Sequence, residues 1–228
     1  MLHQNLLSLA ALALSVSASP VPAAADSCAR PASCPSYTII NARGTTEPQG
    51  ESVGFTTMNK KVLDTLGGGK IYNVVYPADW TLKAEVGTAD ILKFVKETLA
   101  KNPSECLILE GYSQGAMAVV GALKEFTADQ SAAVKGVFVI GNPRHKPGLA
   151  CNVDLHGGDS TRDAVGFLYD KKQFIPDSYV GRTMDVCNFG DGVCDKSHGL
   201  GVNAEHLAYP GDAQMQDMGA KFVLSKLA

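Results

Sequence analysis

The sequence has little net charge, no block of basic residues and no closely paired cysteines, and each absence excludes a class of function. Charged residues make up only 19% of the 228-residue chain, and the formal net charge is -3. Without a cluster of lysine and arginine, binding to nucleic acid or electrostatic attachment to an anionic membrane is not expected. Without a Cys-x-x-Cys pair, a structural metal site is not expected either. An Asn-x-Ser/Thr acceptor for N-glycosylation is also missing.

The N-terminal region lacks charge altogether, because its first 25 residues contain no Lys, Arg, Asp or Glu. An apolar run from Leu6 to Val16 is followed by small residues, which is typical of a secretory signal peptide and too short to span a bilayer. Cleavage could follow Ala18, or Ala25 if a short pro-segment is present. No later segment is long and apolar enough to anchor the chain stably in a membrane, so we expect a secreted, extracellular protein.

The cysteine content fits an exported protein. Six cysteines remain after the predicted signal peptide: Cys28, Cys34, Cys106, Cys151, Cys187 and Cys194. An even number in such a chain predicts three disulfides. Cys187 and Cys194 are expected to close a small loop. Cys34 lies just before a predicted strand and Cys106 lies at the start of another, so they would meet if those strands are adjacent and parallel. That pairing leaves Cys28 with Cys151 by elimination.

Strand-like and helix-like segments alternate over residues 26–228, which we predict to be one domain. The predicted strands are Tyr37–Asn41, Ile71–Tyr76, Cys106–Glu110, Val134–Ile140 and Thr183–Cys187, and the predicted helices are Gly54–Leu66, Val86–Leu99, Ala116–Phe126 and Asp212–Leu227. The second strand is nearly all apolar and is expected to be buried on both faces. Residues 144–178 are predicted to form mainly a surface loop, with one short strand at Val165–Tyr169. This alternation predicts an α/β fold, with a central parallel sheet of about five strands and helices on both faces.

Gly111-Tyr112-Ser113-Gln114-Gly115 lies between a predicted strand and a predicted helix, so the chain must turn sharply there. A serine at such a turn is held in a strained backbone conformation, and glycines on either side leave room for close packing. Its hydroxyl then projects beside the N-terminus of the following helix. The unpaired N–H groups of that helix end suit the oxyanion formed when a hydroxyl attacks an ester carbonyl. Ser113 is therefore the candidate nucleophile.

The five-residue pattern alone can arise by chance in a chain with 23 glycines, so a partner acid and a histidine must follow it. Asp191 lies in the predicted cystine loop, which would hold its carboxylate rigidly enough to orient an imidazole. The Asp-Gly pair there could also be only a turn signal. Asp185 and Asp195 are the rival acids; one lies within a predicted strand and the other just outside the cystine loop.

Two histidines follow the candidate acid, and either could fold back over the serine. His206 lies further along the chain, at the edge of an apolar patch, and is favoured over His198, which lies in a turn-like stretch. His145 and His156 precede the acid and are predicted to be ordinary surface residues.

The order of serine, acid and histidine in the chain matches that of α/β-hydrolase triads and not the orders of the two large groups of serine proteases. Several further motifs accompany it: Ala42-Arg43-Gly44-Thr45-Thr46-Glu47, Gly141-Asn142-Pro143, the Cys187 to Cys194 loop with Gly190-Asp191, and His206-Leu207-Ala208-Tyr209. With the serine motif, these span nearly all of the chain after the predicted signal peptide. The sequence resembles the fungal cutinase family, most closely its yeast-type cutinase-like polyester hydrolases.

The resemblance implies a small, lidless α/β-hydrolase and a role for each matching residue. Ser113 matches the nucleophile, Asp191 the orienting acid and His206 the general base. Gln114 matches the backbone N–H donor of the oxyanion hole, and Thr45 matches the hydroxyl-bearing residue that supplies the other donor, although a Thr at that position could also simply cap a helix. Such a site needs neither a metal nor a cofactor, and we expect a monomer.

The substrate is expected to be an insoluble or small ester. Trp80, Leu200, Val202 and Leu207 could form apolar lips around a shallow groove, or they could be buried in the core. The resemblance implies hydrolysis of cutin, aliphatic polyesters and short-chain esters. An acetylxylan esterase, which would need a polar sugar groove, and a secreted surface-binding protein without catalysis are the alternatives.

Overall fold

The structure, a computed structural model, describes Met1 and residues 34–228. The strands are β1 (Tyr37–Ala42), β2 (Gly69–Asn73), β3 (Cys106–Tyr112), β4 (Val134–Ile140), β5 (Asn152–Val153) and β6 (Thr183–Val186). The helices are α1 (Thr56–Leu66), α2 (Ala84–Lys101), α3 (Gln114–Leu123), α4 (Ala128–Ala133), α5 (Asp177–Val180) and α6 (Ala213–Leu227), with a single 3-10 turn at Tyr209–Gly211. The predicted signal peptide lies outside the described residues.

The strands form one sheet in the order β2-β1-β3-β4-β6-β5, and every neighbouring pair is parallel. Side chains of a strand alternate between the two faces of a sheet. On β3, Leu107 and Leu109 therefore join a core under α2 and α3, whereas Ile108 joins a second core under α1 and α6. The prediction of a parallel sheet with helices on both faces is confirmed, with six strands in place of about five.

Two predicted strands differ in the structure. The second strand is β2 (Gly69–Asn73) and not Ile71–Tyr76, and its residues are only partly buried because it is the edge strand. Val74 and Tyr76 are buried as predicted, but they lie in the loop that follows β2. The short strand predicted at Val165–Tyr169 is not formed. The backbone N–H groups of residues 166–168 instead donate to carbonyls of other loops. The edge of the sheet opposite β2 is occupied by β5.

A disulfide joins Cys34 to Cys106 at the amino ends of β1 and β3, as the adjacent parallel strands predict. Beside it, the Cys34 N–H donates to the carbonyl of Leu227 at the end of α6, at 3.1 Å. The first described residues of the domain and its last helix thus meet at the edge where the strands begin. Cys151 is buried, and its predicted partner Cys28 lies outside the described residues. In the described part of the chain, no helix is long and apolar enough to cross a membrane.

Candidate active site

Ser113 connects β3 to α3 in a backbone conformation that L-residues rarely adopt, with φ 54° and ψ -116°. The flanking glycines make this turn possible. A Cβ on Gly115 would lie 2.0 Å from the carbonyl oxygen of Ala42, and one on Gly111 would lie 2.7 Å from the backbone of Ala116. The helix can therefore pack directly against the carboxyl end of the sheet, and the serine hydroxyl is held at that edge.

The structure brings the three predicted triad residues together. The Nε2 atom of His206 lies 3.0 Å from the Ser113 hydroxyl, and its Nδ1 atom lies 2.9 Å from both carboxylate oxygens of Asp191. The histidine and the acid are almost completely buried. Gly141 lies against them, because a Cβ there would be 2.5 Å from the histidine Cε1 atom.

The carboxylate of Asp191 is fixed by the loop that carries it and by one residue outside that loop. The Cys187–Cys194 disulfide closes the loop. Within it, the Val193 N–H donates to Oδ1 at 2.8 Å, and the Tyr209 hydroxyl donates to Oδ2 at 2.6 Å. A buried polar group needs hydrogen-bond partners, and these two also hold the carboxylate where it can orient the imidazole.

The backbone of His206 is held by two residues that the sequence analysis did not single out. The Asn203 side chain accepts from the His206 N–H at 3.1 Å and donates to the Gly190 carbonyl at 2.8 Å, so it ties the histidine loop to the acid loop. The Tyr112 hydroxyl donates to the His206 carbonyl at 2.7 Å. An Asn three residues before the histidine is a turn signal, but its partner on another loop is not visible in the sequence.

The rival acids each bind a different histidine. Asp185 lies 3.1 Å from His145, and both side chains are completely buried, so the prediction that His145 is a surface residue is wrong. Burial alone lowers the pKa of His145, but the Asp185 carboxylate outweighs that effect and raises it. Asp195 is paired with His198 at 2.8 Å.

These two histidine–carboxylate contacts lie apart from the serine. Neither includes the serine hydroxyl, which His206 approaches instead. His156 lies near the surface, with about half of its side chain exposed, and bonds to Asp212 at 3.1 Å.

The two predicted oxyanion-hole residues face each other beside the serine. Gln114 is the first residue of α3, so its backbone N–H has no partner within the helix. The Thr45 hydroxyl donates to the Gln114 side-chain oxygen at 3.0 Å. Arg43 holds the Thr45 loop by donating to the carbonyls of Glu47 and Tyr76, at 2.9 and 2.7 Å. The Gln114 N–H and the Thr45 hydroxyl thus lie side by side next to the serine, with the hydroxyl proton turned to the Gln114 side chain in this structure.

A cleft of about 250 Å³ opens onto the serine hydroxyl. It is lined by Thr45, Trp80, Leu82, Ser113, Gln114, Met117, Pro143, Phe167, Leu168, Val193, Gly201 and Val202. The side chains away from the serine and its two neighbours are almost all apolar. This composition suits an aliphatic acyl or alcohol group rather than a sugar.

The predicted lip residues divide into two groups. Trp80 and Val202 line the cleft, and Trp80 is 71% exposed at its rim. Leu200 and Leu207 lie outside the cleft, but they are not core residues either, since they are 81% and 61% exposed. The sequence analysis missed other residues that line the cleft, above all Phe167, which it placed in the short strand predicted within the surface loop.

Comparison with known proteins agrees with this geometry. The family model described as cutinase matches residues 33–227. A cutinase from Monilinia fructicola is 30% identical over 216 residues, which cover 92% of this chain and 91% of the relative.

Two solved structures are also similar. A cutinase-like protein from Cryptococcus sp. is 52% identical with a TM-score of 0.84, over 86% of this chain and 97% of that one. The catalytic core of an acetyl xylan esterase from Trichoderma reesei is 25% identical with a TM-score of 0.70, over 85% of this chain and 100% of that one. The chain belongs to the cutinase family.

Proposed function

We propose that this protein, a carboxylic ester hydrolase of the cutinase family, cleaves esters through an acyl-enzyme on Ser113. The observation that carries the proposal is the continuous contact from the Ser113 hydroxyl through the imidazole of His206 to the Asp191 carboxylate, at the mouth of an apolar cleft. A serine hydroxyl becomes an effective nucleophile only with such a base and orienting acid.

In the proposed cycle, His206 takes the Ser113 proton through Nε2 as the hydroxyl oxygen attacks the ester carbonyl. Asp191 stabilises the resulting imidazolium through Nδ1. The Gln114 N–H and Thr45 stabilise the oxyanion of the tetrahedral intermediate. The imidazolium then protonates the leaving alcohol, and water attacks the acyl-enzyme with His206 again acting as base.

The proposed substrates are cutin, aliphatic polyesters and short-chain esters. An apolar cleft with an exposed rim can accept one segment of a long aliphatic chain while the rest of the polymer stays outside. Trp80 is exposed at the rim of the cleft, and Leu200 and Leu207 are exposed next in sequence to Gly201 of the cleft and to His206, so these side chains would contact an apolar solid. A short soluble ester needs only the inner part of the cleft.

Hydrolysis of acetylated xylan is the second candidate, because an acetyl xylan esterase has a similar fold. An acetyl group would fit the cleft, but the sugar chain would have to lie on the apolar rim around Trp80 and Val202. That rim offers few hydrogen-bond partners for sugar hydroxyls, so we favour the polyester.

We also propose that the protein is secreted and acts as a monomer without a metal or cofactor. The uncharged, apolar N-terminal stretch and the two disulfides fit export to an oxidising compartment. Every step of the proposed cycle uses only the protein groups named above and water.

Labelling with an organophosphonate and the variant Ser113→Ala test the mechanism. We expect one phosphonate to bind per protein molecule, on Ser113, and the variant to lose ester cleavage while it still adsorbs to a polyester film. Hydrolysis retained in the variant would show that a different nucleophile is used. Loss of both ester cleavage and adsorption to the film would indicate that the variant is misfolded.

Comparison of Trp80→Ala with the matched control Leu66→Ala tests the substrate. Both residues are exposed and apolar, but Leu66 ends α1 and does not line the cleft. We expect the tryptophan variant to release products from a polyester film at least several-fold more slowly, with a smaller effect on a soluble acetate ester. Faster release of acetate from acetylated xylan than of products from the film would favour the second candidate.

A further inference from the structure

Tyr209 makes a direct contact with the triad that the cycle above does not use. Its hydroxyl lies 2.6 Å from Oδ2 of Asp191, and both residues are completely buried. The other carboxylate oxygen is occupied by the Val193 N–H, and His206 lies equally close to both oxygens. Tyr209 is therefore the one side chain other than the histidine, among the described residues, that bonds to this carboxylate.

The geometry also fixes the direction of the hydrogen bond. The Asn188 N–H donates to the Tyr209 hydroxyl oxygen at 2.9 Å, which leaves the tyrosine proton free to point at the carboxylate. Burial and the nearby Asp191 charge raise the pKa of Tyr209 well above its usual value, so the phenol stays protonated. The backbone of Tyr209 is held as well, because Gln216 donates to the Tyr209 carbonyl at 3.1 Å.

A neutral donor on the carboxylate affects the base as well as the acid. A hydrogen bond to the charged form of a carboxylate stabilises that form and lowers its affinity for a proton. A carboxylate that shares its charge with a donor attracts the imidazolium less strongly, so the protonated imidazole gains less stabilisation from it. The same bond stops the carboxylate from rotating away from Nδ1.

The other ionisable groups around the pair do not duplicate this contact. Tyr112 at the end of β3 bonds to the His206 backbone carbonyl and not to the carboxylate. Burial raises the pKa of Tyr112, and the charges of Glu47, in the loop after β1, and of Asp191 raise it further. Asp195 lies one turn from Asp191 but is paired with His198.

We infer that Tyr209 is a positioning residue for ester hydrolysis, which fixes the Asp191 carboxylate and limits its basicity, and so extends activity to lower pH. The inference rests on the proposed function, because it assumes that His206 must be neutral to accept the serine proton.

The test measures the pH dependence of kcat and KM on a soluble p-nitrophenyl ester for Tyr209→Phe and the matched control Tyr112→Phe. Both variants remove one buried hydroxyl near the same histidine. For Tyr209→Phe we expect kcat to fall about tenfold with little change in KM, as for loss of one hydrogen bond to a charged group. Its acid limb should move up by roughly 0.5 pH unit, because a carboxylate that has lost this donor attracts the imidazolium more strongly. For Tyr112→Phe the acid limb should stay in place.

A second substitution keeps the test decisive if Tyr209→Phe is poorly folded. Site-specific 3-fluorotyrosine at position 209 keeps the hydroxyl and makes it a stronger donor, so the acid limb should move to lower pH. An acid limb that does not move with either replacement, or that moves equally in the Tyr112 control, would overturn the inference. These results are distinct from failure of the proposed function, in which the unmodified protein would not be labelled by phosphonate at Ser113.

Discussion

Separate removal of the two disulfides should have different effects on stability and on activity. Cys34–Cys106 closes a long loop, with a sequence separation of 72, and lies where the strands begin. Cys187–Cys194 closes a loop with a separation of only 7, and that loop carries Asp191. Since a cross-link stabilises mainly by restricting the unfolded chain, the longer loop should contribute about 4 kcal/mol and the shorter about 2.5 kcal/mol.

The melting temperature of the Cys34→Ala/Cys106→Ala variant should therefore fall by roughly 8 to 16 °C, and that of Cys187→Ala/Cys194→Ala by roughly 5 to 10 °C. Activity should follow the opposite order. The first variant should keep its kcat/KM within about twofold when it is assayed well below its melting temperature, since it changes nothing near the site. The second should lose roughly 10- to 100-fold, because Asp191 is less rigidly placed.

The assay is hydrolysis of a soluble ester at 20 °C, with calorimetry on the same samples and a count of free thiols to verify each variant. Tyr209 and Asn203 still contact the acid loop in the second variant, so activity should fall without being abolished. Loss of activity only in the first variant would contradict the role of the cystine loop in placing Asp191. A larger loss of stability in the second variant would contradict the estimate from loop length.

Three further predictions concern single residues. Gly141→Ala should lower kcat/KM by at least roughly 100-fold, because its Cβ would displace His206 and its φ of 54° disfavours alanine; unchanged activity would show that the imidazole can be placed elsewhere. Thr45→Ala should lower kcat by about 10² to 10³ if Thr45 supplies an oxyanion donor, with KM nearly constant; a change confined to KM would indicate a binding role. Glu110 is completely buried, and burial raises its pKa to about 8 from 4.5, so the folded protein should lose stability as the pH rises between these values. Glu110→Gln should remove most of that slope in denaturant unfolding, and a slope equal to that of the unmodified protein would locate the titration elsewhere.

Much of the fold could be predicted because its strands are short apolar runs buried by helices on both sides. Burial of β3 on both faces produces the continuous run that precedes Ser113, and the two flanking glycines are required by contacts with Ala42 and Ala116. These are local signals. The edge position of β2 is not local, because it depends on which strands pair, and its apolar residues Val74 and Tyr76 are buried only after the strand ends.

The candidate site was harder to predict where several residues could serve equally well. Three carboxylate–histidine pairs lie near the carboxyl edge of the sheet, and in each of them a ring nitrogen lies 2.8 to 3.1 Å from a carboxylate oxygen. Only contact with Ser113, across 93 positions in sequence, distinguishes His206 from His145 and His198. The position of Phe167 in the cleft is similarly non-local, because the stretch predicted as a short strand bonds to other loops instead of joining the sheet.

The meeting of Cys34 with Leu227 has a practical consequence for immobilising the enzyme. Both ends of the described domain emerge at the edge of the sheet that lies away from the serine. A linker fused after the last helix should therefore tether the protein to a bead or a cell surface with its catalytic face turned outward. Such a tether leaves the rim around Trp80 free to meet a solid film.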